Sequence, residues 1–157
     1  MQISKIISGG QIGADRAALD FAIEYDIPHG GWIPKGRRTE DGPLADKYQL
    51  RERPDKSYSK RTEQNILYSD GTLIISHGRL SGSGGSVLTR RLAKKHNRPW
   101  IHVDMDEISL QDAADKIRKW FKDNNISVLN VAGPRASKDP RIYQTVLKVL
   151  KATIIGL

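Results

Sequence analysis

The sequence contains no cysteine. This absence excludes disulfide bonds, thiolate zinc sites, iron–sulfur clusters and a cysteine nucleophile. Long apolar runs are also missing, since none approaches the ~20 residues that a membrane-spanning helix needs. The first ten residues, MQISKIISGG, lack the cationic and apolar regions of a signal peptide. We therefore expect a cytoplasmic protein without a membrane segment.

Aromatic residues are few, at 6% of the chain. Proteins that bind single-stranded nucleic acid usually interleave aromatic and basic side chains, and no such pattern occurs here. The chain is nevertheless basic, because 26 Lys and Arg against 18 Asp and Glu leave a net charge of +8. Such a surface favours an anionic partner. We expect a phosphorylated small molecule rather than nucleic acid.

The chain is long enough to form its own core without a metal or disulfide. It has 157 residues, of which 38% are hydrophobic and 28% are charged. These proportions are typical of a soluble globular protein. The length favours a single domain that spans residues 1–157.

Apolar segments alternate with helical patterns along most of the chain. The predicted strands are residues 3–8, 29–34, 72–76, 99–103 and 128–131, and the predicted helices are residues 13–25, 61–68, 86–96, 110–122 and 140–152. Alternation of this kind indicates βαβ units, and nearly all-apolar strands indicate helices on both faces of the sheet. The sequence therefore predicts an α/β fold with three layers and a mainly parallel sheet of about five strands.

One polar stretch, residues 35–60, resists assignment to a helix or strand. It contains Pro43, Pro54 and few apolar residues. A connection of this length is unusual in a compact domain and is more often functional than idle.

Three glycine-bearing turns each follow a predicted strand and open a predicted helix. In the first turn the candidate ligand-binding residues are Gly9, Gly10, Gln11, Gly13, Ala14 and Asp15. Glycines let a ligand approach the backbone, and a helix N-terminus attracts an anion. A tight strand-to-helix turn, with Asp15 stabilising the first helical turn, explains the same residues equally well.

The second and third turns repeat this arrangement with different residues. The candidates are Ser81, Gly84, Gly85 and Ser86 in the second turn and Gly133, Pro134 and Arg135 in the third. A serine at this position caps a helix or donates to a phosphate, and arginine favours bidentate contact with phosphate or carboxylate. A flexible glycine loop and a solvated arginine are the alternatives.

The three turns are expected to converge. In a parallel sheet the carboxyl ends of the strands lie at one edge, where open α/β folds bind their ligands. Lys35 and Arg37 follow the second strand at this same edge, and Arg61 and Thr62 begin the next helix. A basic rim around glycine turns suits a ligand with one or more phosphates.

Catalytic and metal-binding signals are weak. No G-x-S-x-G nucleophile elbow follows a strand, and the four histidines lack the spacing of metal ligands. We therefore assign no catalytic residue and expect no metal bound by the protein itself.

Several motifs in series resemble a known family. They are SGGQIGADRAALDFA (residues 8–22), PHGGWIPKGRRTEDG (28–42), Arg61-Thr62-Glu63 with Asn65, SDGT (69–72), GSGGS (82–86) and NVAGPR (130–135). Together they resemble the molybdenum cofactor carriers, the circularly permuted YpsA-like branch of the SLOG superfamily. The resemblance covers nearly the whole chain.

This resemblance implies a Rossmann-like domain that is often tetrameric. It implies a protein that binds the molybdenum cofactor (molybdopterin), a pterin dithiolene with a terminal phosphate, and passes it to apo-molybdoenzymes. The wider superfamily also includes nucleotide-binding proteins and phosphoribohydrolases. The hydrolases carry a glutamate in a PGGxGTxxE pattern, whereas residues 84–91 contain no acid, and Ile12 stands where family members usually have threonine. The resemblance thus favours a carrier, with a nucleotide-derived ligand or a phosphoribohydrolase-like enzyme as the alternative.

Overall fold

A computed structural model describes residues 2–82 and 84–156, so Met1, Leu157 and Ser83 of the second glycine turn lie outside the described residues. The strands are β1 (Lys5–Ile7), β2 (His29–Gly30), β3 (Trp32–Ile33), β4 (Arg38–Thr39), β5 (Gly42–Pro43), β6 (Arg51–Glu52), β7 (Gly71–Ser76), β8 (Trp100–Asp104) and β9 (Val128–Ala132). The helices are α1 (Ala14–Glu24), α2 (Tyr58–Leu67), α3 (Gly85–Lys95), α4 (Leu110–Asp123) and α5 (Ile142–Leu150), which continues into a π-helical turn, Lys151–Ile155. Within these described ranges, no helix has the length and apolar character needed to cross a membrane.

Five strands form the central sheet in the order β2-β1-β9-β7-β8. Every pairing in it is parallel. Helix α5 packs against both α1 and α4 on one side, and α2 and α3 pack against each other. The predicted Rossmann-like three-layer α/β fold with a parallel sheet of five strands is therefore confirmed.

The main core lies between the sheet and the group formed by α1, α4 and α5. Alternate residues of β7, Leu73 and Ile75, point into it together with Phe21, Ile117 and Val146. Helix α1 contributes small side chains on the same face, and its alanines at 14, 17, 18 and 22 are fully buried. Small residues at helical spacing let α1 lie close to the sheet.

The predicted strand at residues 29–34 is divided in two. Strand β2 joins the central sheet, whereas β3 leaves it and pairs in parallel with β6. The break falls at Gly31, which has a φ of +136° and where a Cβ would lie 2.2 Å from the carbonyl oxygen of Ser8. Only glycine fits this close approach, and the strand cannot continue through it.

The predicted helix at residues 61–68 begins earlier, at Tyr58. The side chain of Ser57 caps it by accepting a hydrogen bond from the Lys60 N–H at 3.2 Å. The first turn is polar and exposed, so apolar periodicity did not reveal it. The consequence for function is that a longer face of α2 borders the sheet edge.

The polar stretch of residues 35–60 has an internal structure of its own. It contains the β4–β5 hairpin and strand β6. It also supplies part of a small apolar cluster against α1, formed by Leu19, Ile33, Leu44, Tyr48 and Leu50. Much of this stretch therefore serves packing, which its scattered apolar residues did not predict.

Candidate functional site

A cleft of about 920 Å³ opens at the carboxyl edge of the sheet, beside α2 and α3. All three glycine turns reach it. The sequence-predicted residues that line it are Gly9, Gln11, Asp15, Arg61, Thr62, Ser81, Gly84, Gly85, Ser86, Gly133, Pro134 and Arg135. The parallel sheet thus brings residues from distant parts of the chain to one cleft, at the edge where α/β proteins bind ligands.

The first and third turns are joined to each other directly. The Ala14 N–H donates to the Pro134 carbonyl at 3.2 Å, and the Ala136 N–H donates to the Ile12 carbonyl at 2.8 Å. Gly13 sits at this junction with a φ of +121°, and a Cβ there would lie 2.6 Å from the Ala136 nitrogen. Gly13 and Ala14 therefore shape the cleft without lining it.

The first turn uses most of its own backbone donors. The N–H groups of Gly10, Gln11 and Ile12 donate to the side chains of Ser8, Asp15 and Gln11, at 3.1 to 3.3 Å. Gly10 also faces away from the cleft, because a Cβ there would lie 3.0 Å from Leu50 Cδ2. The N–H groups of this turn therefore bind side chains of residues 8–15. This is the tight strand-to-helix turn that the sequence allows as the alternative to a ligand site.

The second turn is open. Neither Gly84 nor Gly85 has any described atom within 4 Å of the position of a Cβ, and no described side chain caps the N-terminus of α3. The N–H groups of the first helical turn have no partner within the helix. Among the described residues no side chain caps these N–H groups, so helix α3 presents them, with the positive end of its dipole, to the cleft. Such an arrangement favours an anion.

Arg61 is the most unusual side chain of the cleft. It is only 13% exposed, and its Nη1 lies 3.5 Å from Asp15 Oδ2. Its Nε is buried and has no hydrogen-bond partner among the described residues. A buried donor without a partner costs free energy. The guanidinium is therefore a strong candidate to hold an anionic ligand.

Gly9 makes the placement of Arg61 possible. A Cβ at position 9 would lie 1.5 Å from Arg61 Nη1 and 2.6 Å from Arg61 Cζ. The guanidinium thus rests on the bare backbone of the first turn. Gly9, a candidate ligand-binding residue that lines the cleft, thus also allows close approach of an arginine.

Asp15 is the counter-ion of Arg61. Its carboxylate also accepts the Gln11 N–H at 3.3 Å. Burial raises the pKa of the Asp15 carboxyl, and the nearby positive charge of Arg61 partly opposes that rise. The negative charge of ionised Asp15 therefore offsets part of the positive charge of Arg61.

Arg135 lies at the exposed rim of the cleft. Its side chain is 50% exposed, and its Nε is 3.5 Å from Glu40 Oε2. Glu40 belongs to the turn between β4 and β5, and its carboxylate also accepts hydrogen bonds from the Ser137 backbone and hydroxyl. Arg135 is therefore available to a ligand but shared with an acid.

The structure does not bring Lys35 and Arg37 to the cleft. The Arg37 guanidinium instead donates to the carbonyl oxygens of Leu44, Ala45, Tyr48 and Leu50. These bonds hold the stretch between β5 and β6 in place. Lys35 is exposed outside the cleft lining, with its N–H donating to the Asp55 carbonyl at 2.8 Å.

Tyr58, Arg79 and Lys138 are among the cleft side chains that sequence reasoning missed. Arg79 follows β7 by three residues, so its position after a buried strand was an available signal. Tyr58 and Lys138 lie outside every glycine turn, and nothing in their local sequence marks them.

His77 and Asp139, which both line the cleft, are hydrogen-bonded to each other. His77 Nδ1 lies 2.5 Å from Asp139 Oδ2, and His77 Nε2 lies 3.0 Å from Thr145 Oγ1. With both ring nitrogens occupied, this histidine is a structural link between the cleft and α5. In residues 2–82 and 84–156, no group of three or more His, Cys, Asp or Glu is placed to hold a metal ion.

Comparison with known proteins agrees with this architecture. Residues 6–154 match the model of the circularly permutated YpsA SLOG family. The crystal structure of the "putative molybdenum carrier protein" from Syntrophus aciditrophicus SB is 57% identical in sequence, with a TM-score of 0.94. That similarity covers 97% of this chain and 95% of the other. No curated protein matches the chain.

Proposed function

Because the chain belongs to the circularly permutated YpsA SLOG family, we propose that it is a non-catalytic carrier of the molybdenum cofactor. The cofactor is cargo: a pterin dithiolene whose terminal phosphate enters the cleft beside α2 and α3. The name of the Syntrophus protein supports a molybdenum-related cargo.

The observation that carries this proposal is the guanidinium of Arg61, which is largely buried and whose Nε has no hydrogen-bond partner among the described residues. It faces the same cleft as the N-terminus of α3, which no side chain among the described residues caps. Charge-assisted hydrogen bonds from arginine to phosphate are about twice as strong as neutral ones. A phosphate between these two groups would accept hydrogen bonds from the guanidinium of Arg61 and from the first N–H groups of α3, for which the described residues supply no side-chain cap.

The donor set of the cleft fits the organic part of this cargo. Backbone N–H groups of Gly85 and Ser86 and the side chains of Arg61 and Arg135 would hold the phosphate. The chain has no cysteine, so the dithiolene of the cofactor itself would keep the metal. The cleft, at about 920 Å³, falls within the size range of cofactor pockets.

The direct test is anaerobic incubation of the protein with isolated molybdenum cofactor, followed by gel filtration. We expect molybdenum and pterin to co-elute with the protein. Arg61→Ala should abolish co-elution, whereas Arg91→Ala should not, because Arg91 is exposed on α3 outside the cleft lining. Absence of co-elution with the wild-type protein at micromolar concentration would contradict the proposal.

We further propose that the carrier is a cytoplasmic homo-oligomer, a tetramer by family resemblance, that delivers its cargo to apo-molybdoenzymes. Native mass spectrometry of freshly purified protein tests both the subunit number and the copurified ligand. A monomer without a bound mass would contradict this part of the proposal.

A second candidate is hydrolysis of a nucleotide-derived ligand. It is favoured by the Asp15 carboxyl, which lines the cleft and whose pKa burial raises. A carboxyl of this kind can hold a proton closer to neutral pH and act as an acid. Incubation with a panel of nucleoside 5′-monophosphates tests it, since release of free base that is lost in Asp15→Asn would support hydrolysis over transport.

A further inference from the structure

One face of α2 looks into the cleft along two helical turns. Its cleft-lining residues are Tyr58, Arg61, Thr62 and Asn65, at the spacing of residues that share a helical face. Asn65 is bound to the backbone of Trp32 through both its oxygen and its nitrogen. Tyr58, by contrast, is half exposed, and the phosphate site leaves it unused.

The ring of Tyr58 lies beside the anion-binding arginine. The Arg61 Cζ is 5.7 Å from the centroid of that ring. Leu80, Val87 and Leu88 line the same cleft with apolar side chains. The cleft therefore combines hydrogen-bond donors for an anion with an aromatic and aliphatic surface. A bound phosphate alone would leave that surface exposed to solvent.

A planar heterocycle is the chemical group that matches this second surface. Stacking of a ring on an aromatic side chain tolerates many ring types, because every such ring has a π-face. An adjacent guanidinium adds a cation–π contribution. A sugar phosphate without a ring would use the donors of the cleft and leave the aromatic side chain exposed.

We propose that Tyr58 is a specificity-determining residue that binds the planar ring of a phosphorylated heterocyclic ligand. The inference rests on the proposed phosphate site at Arg61 and α3, and it deepens that proposal by naming the residue that contacts the ring of the ligand. The ring lies against Tyr58 while the phosphate is held by the donors next to it.

The chain offers a matched control at the end of the same helix. Tyr68 follows the last residue of α2 and is 60% exposed, against 50% for Tyr58. Its ring centroid is 5.9 Å from that of Trp32, and it does not line the cleft. Loss of either tyrosine removes a similar side chain from the surface, but only Tyr58 belongs to the cleft.

The experiment is isothermal titration calorimetry with neopterin monophosphate, guanosine 5′-monophosphate, ribose 5-phosphate and inorganic phosphate. We expect at least one of the ring-bearing phosphates to bind about tenfold or more tightly than ribose 5-phosphate. Tyr58→Ala should remove that preference without changing the affinity for ribose 5-phosphate. Tyr58→Phe should retain the preference, and Tyr68→Ala should bind all four compounds like wild type.

Other outcomes separate this inference from the proposed function. If ring-bearing and ringless phosphates bind wild type equally, or if Tyr58→Ala keeps the preference, the role of Tyr58 is overturned while the phosphate site stands. If Tyr58→Ala weakens every compound alike, Tyr58 only supports the structure and the inference is again overturned. If wild type binds none of the four, the phosphate site fails and this inference fails with it.

Discussion

The two faces of the central sheet bury different kinds of side chain. The face toward α1, α4 and α5 buries a continuous apolar core. Among the described residues, the face toward α2 and α3 has a smaller apolar cluster of Ile66, Leu92 and Ala93, with Leu88 and Trp100 packed against it. On that second face the strands carry the buried polar residues Thr72, Ser76 and Asn130.

These polar side chains are paired with one another. Asn130 Nδ2 donates to Thr72 Oγ1 at 3.1 Å, and the Ser76 hydroxyl lies 2.7 Å from His102 Nε2. Burial lowers the pKa of His102, which favours its neutral form. Paired buried polar groups contribute less to stability than an apolar core of the same volume. The comparison indicates that one face stabilises the fold and the other serves the cleft.

The largest effect is expected on the apolar face. Phe21→Ala would remove a fully buried ring from the main core and should destabilise the protein by about 3–5 kcal/mol. Urea unfolding measures the loss. A change below about 1 kcal/mol would contradict the view that this face supplies most of the stability.

The polar face should respond differently to loss of one partner and of both. Asn130→Leu alone leaves the buried Thr72 hydroxyl without its partner and should cost about 1–3 kcal/mol. The double variant Asn130→Leu with Thr72→Val should recover most of that stability, because replacing both partners by apolar groups is nearly neutral.

The same double variant also tests what the polar face is for. Asn130 lines the cleft, so the variant should bind a phosphorylated ligand more weakly although its unfolding free energy is nearly restored. Unfolding and calorimetry on the same sample separate the two quantities. If the double variant regains stability and its affinity for the ligand is unchanged, the polar residues of this face do not contribute to ligand binding.

The fold could be predicted because its signals are local. Apolar strands and helical spacing lie within short windows, and a parallel sheet then brings the ends of its strands to one edge. The split at Gly31 could not be predicted, since it depends on the approach of Ser8, which follows β1.

The roles of the individual glycines in the site also could not be predicted from the sequence, because they depend on residues distant along the chain. Gly9 and Gly10 appear equivalent in the sequence. In the structure the Arg61 guanidinium lies against Gly9, whereas Gly10 packs against Leu44 and Leu50. Each role is decided by a neighbour far along the chain. A glycine motif therefore locates the edge of the site but does not identify which glycines face the ligand.

A smaller, local change should affect the cleft without affecting either face of the sheet. Gly85→Asp would place a carboxylate in the first turn of α3, where a Cβ meets no described atom within 4 Å. The negative charge complements the helix dipole and should leave stability unchanged or raise it by about 0.3–1 kcal/mol. It should weaken phosphate binding about tenfold or more by repulsion.

The control for this change is Gly85→Asn, which has nearly the same size and no charge. It should retain most of the affinity for a phosphorylated ligand in calorimetry. If both variants bind like wild type, the N-terminus of α3 is not the anion site, and the cleft would depend on arginine alone.

The smallest effect is expected at the rim, for Arg135→Ala. Arg135 is half exposed and already lies near Glu40. Arg61 is largely buried, and the part of the chain that the structure describes offers its Nε no hydrogen-bond partner. Exposed charge pairs contribute about 0.2–1 kcal/mol, while hydrogen bonds to charged groups away from solvent contribute about 1.5–3 kcal/mol. Calorimetry should therefore rank Arg135→Ala well below Arg61→Ala in lost affinity, and added salt should shrink the Arg135 effect more. The reverse ranking would place the anion at the rim and leave the buried guanidinium of Arg61 as a structural partner of Asp15.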